Sequence, residues 1–130
     1  MNTGMRALIV DDDETIQRLL TRLCNLHGVA SDAASSFQEV EDLFKTGDLD
    51  YDIYFLDLIL PGASGWDILG LIRDMDSAKN KPVIIISGAN LSDEEREKLL
   101  RKADFIMLKQ SFSVRSFKDV LQRFLQIDVF

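Results

Sequence analysis

The sequence predicts an α/β domain, a doubly wound five-stranded parallel sheet with helices on both faces, and three observations carry that expectation. Four short apolar runs, Ala7-Leu8-Ile9-Val10, Ile53-Tyr54-Phe55-Leu56, Val83-Ile84-Ile85-Ile86 and Phe105-Ile106-Met107-Leu108, are continuous rather than alternating, which fits strands covered on both sides. Segments with apolar residues at helical spacing separate them, and right-handed crossovers then wind those helices onto both faces of one sheet. A length of 130 residues, with 46% hydrophobic and 28% charged, matches an ordinary globular domain rather than a disordered or fibrous chain.

The elements follow in order. After the first run, Ile16, Leu19, Leu20 and Leu23 recur at helical spacing, and Gly28 after His27 supplies a stop. A weaker strand is expected over residues 29–33. Ser36 and Glu39 form a capping-box pattern ahead of Val40, Leu43 and Phe44. The second apolar run leads to a helix over residues 66–75, and the third to one starting near Ser92. That fourth helix is entirely charged over residues 93–98, with only Leu99, Leu100 and Ala103 offering apolar surface. It is therefore expected to be the least firmly docked. Ser113 caps a last helix marked by Val114, Phe117, Leu121 and Leu125.

Charge and cysteine usage narrow the function classes. The 22 acidic against 15 basic residues leave a formal charge of −7, unsuited to neutralising a nucleic-acid backbone or an anionic membrane. Cys24 is the single cysteine and His27 the single histidine, so neither an internal disulfide nor a Cys/His metal centre is possible. No segment approaches the roughly 20 apolar residues that span a bilayer, and the start lacks a signal-peptide pattern. A cytoplasmic location is expected.

Ligands of doubly wound sheets collect beyond the carboxyl ends of the strands. There the sequence places Asp11-Asp12-Asp13, Asp57, Ser87-Gly88 and Lys109. Asp11, Asp12, Asp13 and Asp57 account for more than half of the acid excess. Two carboxylates about 5 Å apart repel by roughly 3 kcal/mol at an effective dielectric of about 20. A divalent cation relieves this, and Mg2+ suits such oxygen ligands. A carboxylate beside Mg2+ and a lysine can attack phosphorus, which makes Asp57 the candidate nucleophile. Lys109 and Ser87 are then placed to contact the phosphoryl oxygens.

These residues, together with Leu56-Asp57-Leu58-Ile59-Leu60-Pro61-Gly62 and Gly65 and with Lys109 followed by Phe112, resemble the receiver domain of two-component response regulators over nearly the whole chain. The resemblance implies a flavodoxin-like receiver fold with strand order 2-1-3-4-5, and one receiver domain over residues 1–130 with no output domain. It implies a phosphoacceptor signalling domain, not an enzyme with a product, that takes a phosphoryl group from a histidine kinase or phosphotransfer protein onto Asp57. It also implies Asp12 and Asp57 as Mg2+ ligands, Asp11 acting through a metal-bound water, and the Ile59 backbone carbonyl as a further ligand. Ser87 and Lys109 are the implied phosphoryl-contacting and switch residues. The output partner is unnamed, and a phosphorylation-dependent homodimer is compatible with the family.

The chain departs from the family pattern at three positions. Gln110 follows Lys109 where receivers place a proline in cis. A cis bond to another residue costs about 2.5–4 kcal/mol, so a trans bond and a rearranged loop are expected. Ile106 stands at the switch position that usually holds an aromatic ring, and its β-branched side chain has no ring to flip. Phe105 is expected on the opposite face. Ile59, two residues past Asp57, cannot orient a hydrolytic water, so a long-lived aspartyl phosphate is expected.

Other residues read as structural. Asp13 is expected to cap the first helix, Cys24 to be a buried thiol, His27 to serve a helix dipole, and Trp66 to be a packing or surface aromatic. A rival to the phosphoacceptor reading is a receiver-like interaction module that works without regulated phosphorylation. A haloacid dehalogenase-type phosphatase requires a second aspartate where Ile59 stands. A flavin module would not place three aspartates against a phosphate.

Overall fold

A computed structural model describes residues 3–127 except 47–49, 61–62, 76–77 and 89. Five parallel strands, β1 (Arg6–Val10), β2 (Ala30–Ala34), β3 (Ile53–Asp57), β4 (Val83–Ser87) and β5 (Phe105–Leu108), form one sheet in the order β2-β1-β3-β4-β5. The helices are α1 (Glu14–Leu26), α2 (Phe37–Thr46), α3 (Gly65–Asp74), α4 (Asp93–Leu100) and α5 (Val114–Leu125). A short antiparallel ladder pairs Ile59–Leu60 with Ala63–Ser64 outside the sheet. Pro61 and Gly62, part of the recognised motif, lie outside the described residues.

Continuous apolar runs become strands here because both faces are covered. Leu8, Val10, Tyr54, Leu56, Val83 and Ile85 pack under α2, α3 and α4. Their alternating neighbours Ala7, Ile9, Ile53, Phe55, Ile84 and Ile86 pack under α1 and α5, as the two-residue period of a strand requires. Phe55 stacks on Phe117 of α5 with centroids 5.0 Å apart, fixing that helix against the middle of the sheet.

The edge strand β2 starts one residue later than expected, at Ala30, with Val29 buried just before it. Only Ala34 of this strand is fully buried, consistent with a polar, short edge that resists pairing with other chains. The sequence order around β1 reverses between β2 and β3, so the crevice at the strand ends opens between Asp11 and Asp57.

Caps explain where the helices start. Asp13 accepts from the Thr15 N–H at 2.9 Å, and Ser113 caps α5 by accepting from the Ser116 N–H at 3.0 Å. At α2 the box is displaced by one residue. Ser36 Oγ accepts from the Glu39 N–H at 3.2 Å, while Glu39 returns to the Ser35 N–H at 2.9 Å. At α4, Ser92 and Glu95 form the full reciprocal box, yet Leu99 is the single buried residue of that helix. Its stability is thus largely local, from the cap and the acidic first turn.

Candidate phosphoacceptor and metal site

Strand register brings the site together. Val10, Leu56, Ile85 and Ile106 occupy one row across β1, β3, β4 and β5. The residues just beyond that row, Asp11, Asp57, Ser87 and Lys109, emerge at the same sheet edge. Asp11, Asp57 and Ser87 are buried, and Asp12 is exposed. One ligand atom from each of Asp11, Asp12 and Asp57 lies within 4.8 Å of the others.

Lys109 Nζ sits between two of these carboxylates, 3.0 Å from Asp11 Oδ2 and 3.3 Å from Asp57 Oδ2. Burial works to lower the Lys109 pKa, but the two carboxylates together outweigh it and hold the ammonium above its ordinary value. Asp57 is pushed above the usual carboxylate range, first by burial and then by the Asp11 charge. The Ile59 N–H, 3.3 Å from Asp57 Oδ1, and Lys109 offset only part of that rise.

The donor set fits a hard divalent cation. Asp11 Oδ1 accepts from the Asp13 N–H at 2.9 Å, whereas Asp11 Oδ2 is buried without an aligned hydrogen bond and has only the ion-pair contact with Lys109. A buried carboxylate oxygen with unused acceptor capacity, facing two more carboxylates, is what an oxygen-coordinated Mg2+ satisfies.

The loop bearing these acids is braced by a residue that sequence reasoning missed. The Gln17 amide donates to the Asp11 carbonyl, to the Ala34 carbonyl at 3.2 Å and to Ser35 Oγ at 3.0 Å. It ties the end of β1 to the loop after β2. Gly65 also has a definite local reason. A Cβ there would collide with the Asp57 carbonyl and come within 2.6 Å of Leu58 Cα, so α3 can start against the Asp57 loop only with glycine. The Gly65 N–H donates to the Leu58 carbonyl at 2.7 Å.

On β5, Ile106 packs partly buried on the α4 side of the sheet and Phe105 on the α5 side. Phe105 lies 6.0 Å from Phe124, ring centre to ring centre. The Lys109–Gln110 bond is trans, and Lys109–Ser111 forms one turn of 3-10 helix. Ile59, whose backbone N–H meets Asp57, is 69% exposed.

Of the residues read as structural, Cys24 is fully buried, with its thiol pushed up to about 12 by burial. Trp66 is a partly packed surface aromatic. His27 departs from expectation. It caps the end of α1, but it is buried, and its Nε2 has no hydrogen-bond partner. Burial, followed by the Lys118 charge, lowers its pKa. The fold therefore favours neutral His27 over the imidazolium that a dipole role requires.

Comparison with known proteins agrees with the geometry. The chain is 30% identical over 105 residues to the transcriptional regulatory protein CusR of Escherichia coli (strain K12), covering 81% of this chain but 44% of that protein. It thus spans less than half of CusR. It is 30% identical over 109 residues to the chemotaxis protein CheY-3 of Vibrio cholerae, covering 79% of this chain and 75% of that one. The crystal structure of a response regulator receiver protein from Burkholderia phymatum superposes with a TM-score of 0.81 at 26% identity, covering 96% of this chain and 98% of the other. The family model for the response regulator receiver domain matches residues 7–122, from the second residue of β1 to within α5, and the chain belongs to that family.

Proposed function

We propose that this chain is a phosphoacceptor switch in two-component signalling, accepting a phosphoryl group on Asp57 from a histidine kinase or phosphotransfer protein. The observation that carries this reading is the meeting of Asp57, Lys109, Asp11 and Asp12 from the ends of three strands. An Asp57 carboxylate oxygen bonds to phosphorus as the phosphorus–nitrogen bond of a phosphohistidine breaks, and the electron pair leaves with the imidazole.

Asp12, Asp57 and the Ile59 carbonyl would hold Mg2+, with Asp11 acting through a bound water. The metal, when bound, neutralises charge on the transferring oxygens. Lys109 supplies a second cation on the same side. The Ser87 hydroxyl, at the end of β4, contacts the phosphoryl group and acts as the switch. The aspartyl phosphate carries about two negative charges at neutral pH where the carboxylate carried one, and drawing Ser87 and Lys109 toward them biases α4, whose one buried residue is Leu99.

The output is a surface, used by a partner, a further domain or a phosphorylation-dependent homodimer. No helix among the described residues is long and apolar enough to cross a membrane, and a cytoplasmic setting suits a kinase partner. Beryllofluoride with Mg2+ tests the switch. Amide signals at Ser87 and along α4 are expected to shift, and an unchanged spectrum at saturating beryllofluoride favours an interaction module without regulated phosphorylation. Asp12 is exposed, so Asp12→Ala is expected to keep the fold and lose Mg2+-dependent stabilisation. In the native chain that stabilisation is about 1.4 kcal/mol at tenfold Kd.

A further inference from the structure

At the opposite edge of the sheet, where β4 and β5 begin, a groove of about 450 Å³ lies between the end of α3 and the connections entering those two strands. Arg73, Lys79, Lys81, Arg101 and Lys102 line it, with Asp104 as the one carboxylate among the lining residues. One third of the chain's 15 basic residues thus meet in a single groove of a protein with formal charge −7.

Asp104 is already committed. Its Oδ2 accepts from Arg73 Nη2 at 2.9 Å and from the Val83 N–H at 2.8 Å. Arg73 in turn donates to the carbonyls of Lys102 at 2.7 Å, Lys79 at 3.0 Å and Lys81 at 2.8 Å. It therefore cross-braces the two connections and holds the backbone from which the lysines project. Lys81 also faces Asp52 at 3.7 Å, with both side chains partly exposed, a contact that water and salt weaken.

The chemistry of the lining selects a ligand class. The backbone N–H groups of Lys79, Lys81 and Lys102 are bonded to the carbonyls of Met75, Ala78 and Leu99, so an anion is held by side-chain ends and not by a backbone cradle. Lysine ammoniums are flexible point charges, weak toward one small anion but additive along a run of carboxylates. Leu100, 48% exposed, adds an apolar rim. No aromatic ring lines the groove for bases to stack on, and the overall negative charge repels a long polyanion.

We propose that this groove binds a short acidic segment of a partner protein, rich in Asp and Glu and carrying an aliphatic side chain that rests on Leu100. This goes beyond the phosphoacceptor reading and does not depend on it. The five residues of β4 extend about 16 Å, so a segment seated here leaves the carboxylate cluster open.

Fluorescence anisotropy with a labelled peptide of alternating Glu and Leu tests it on the full chain. Saturable binding at low salt is expected, falling as salt rises and absent for the matching Lys and Leu peptide. Arg101→Gln combined with Lys102→Gln is expected to weaken binding about tenfold. These are exposed side chains, and the carbonyl that Arg73 uses is unchanged. Lys79→Gln provides an independent loss, and circular dichroism confirms the fold of each variant. No saturable binding at low salt, or equal binding by native and folded variants, overturns the proposal. Tighter binding of a single-stranded oligonucleotide, with the same dependence on Arg101 and Lys102, overturns it in favour of nucleic acid.

Discussion

Lys109 Nζ lies 3.3 Å from Asp57 Oδ2 although the two residues stand at the ends of β5 and β3, with β4 between them. Neighbouring strands are about 4.8 Å apart, so the contact crosses two strand spacings. A lysine side chain has the reach for this, and its ammonium then also meets Asp11 at 3.0 Å. One cation thereby compensates two buried carboxylates.

Removing that cation has a measurable cost. Lys109→Gln leaves Asp11 and Asp57 facing each other and is expected to destabilise the metal-free fold by about 1–2 kcal/mol, a buried-pair penalty reduced for partial solvent access. Urea unfolding in EDTA measures it. Mg2+ is expected to stabilise Lys109→Gln more than the native chain, because it takes over the missing counter-charge. Equal Mg2+ effects would place the metal elsewhere.

The raised Asp57 pKa sets the sign of a second effect. Between the ordinary carboxylate value of 3.8 and the higher folded value, the native state retains a proton that the unfolded chain has released. This contribution to stability is present at low pH and is lost as pH rises through the folded value. Asp57→Asn lacks the penalty. Without metal it is expected to be more stable than the native chain at neutral pH, with the gap closing toward pH 3.8. Urea midpoints across that range check it, and a native chain more stable than Asp57→Asn at neutral pH contradicts it.

Gly65→Ala tests the close approach of α3 to the Asp57 loop. The added methyl meets the Asp57 and Leu58 backbone rather than a flexible side-chain end, so a loss of about 1–3 kcal/mol is expected. Gly70→Ala, where a Cβ finds open space, is the control and is expected to be neutral or slightly stabilising within its helix. Thermal unfolding of the two variants separates a packing effect from a helix-propensity effect.

The exposed Ile59 side chain offers no group to orient an attacking water. The isolated phosphorylated chain is therefore expected to keep its phosphoryl group for minutes or longer with Mg2+, and Ile59→Asn to shorten that lifetime. Following loss of label over time checks both. A native lifetime of seconds contradicts the expectation.

The four apolar strands, and the placement of Asp11, Asp57, Ser87 and Lys109 at their carboxyl ends, were legible in the sequence because their signals are local, whereas the strand order came with the family resemblance. Two-sided burial makes continuous apolar runs, and four of the candidate residues directly follow one: Asp11 after Val10, Asp57 after Leu56, Ser87 after Ile86 and Lys109 after Leu108. What was not legible depends on contacts distant in sequence. Gln17 looks like a solvated helix residue until its amide meets Ala34 and Ser35. Arg73 reads as a helix-end cation until three carbonyls and Asp104 surround it. His27 carries the right residue type for a dipole partner, but burial, which composition does not report, favours the neutral ring. The first residue of β2 shifted because a polar edge strand has no apolar run to mark its start.

Labelling by acetyl phosphate tests the central claim most directly. The native chain with Mg2+ is expected to acquire one base-labile phosphoryl group, which does not form when EDTA is present from the start and is absent from folded Asp57→Asn. A native chain that remains unlabelled with Mg2+, or equal labelling of native and Asp57→Asn, would contradict the assignment of Asp57 as the phosphoacceptor.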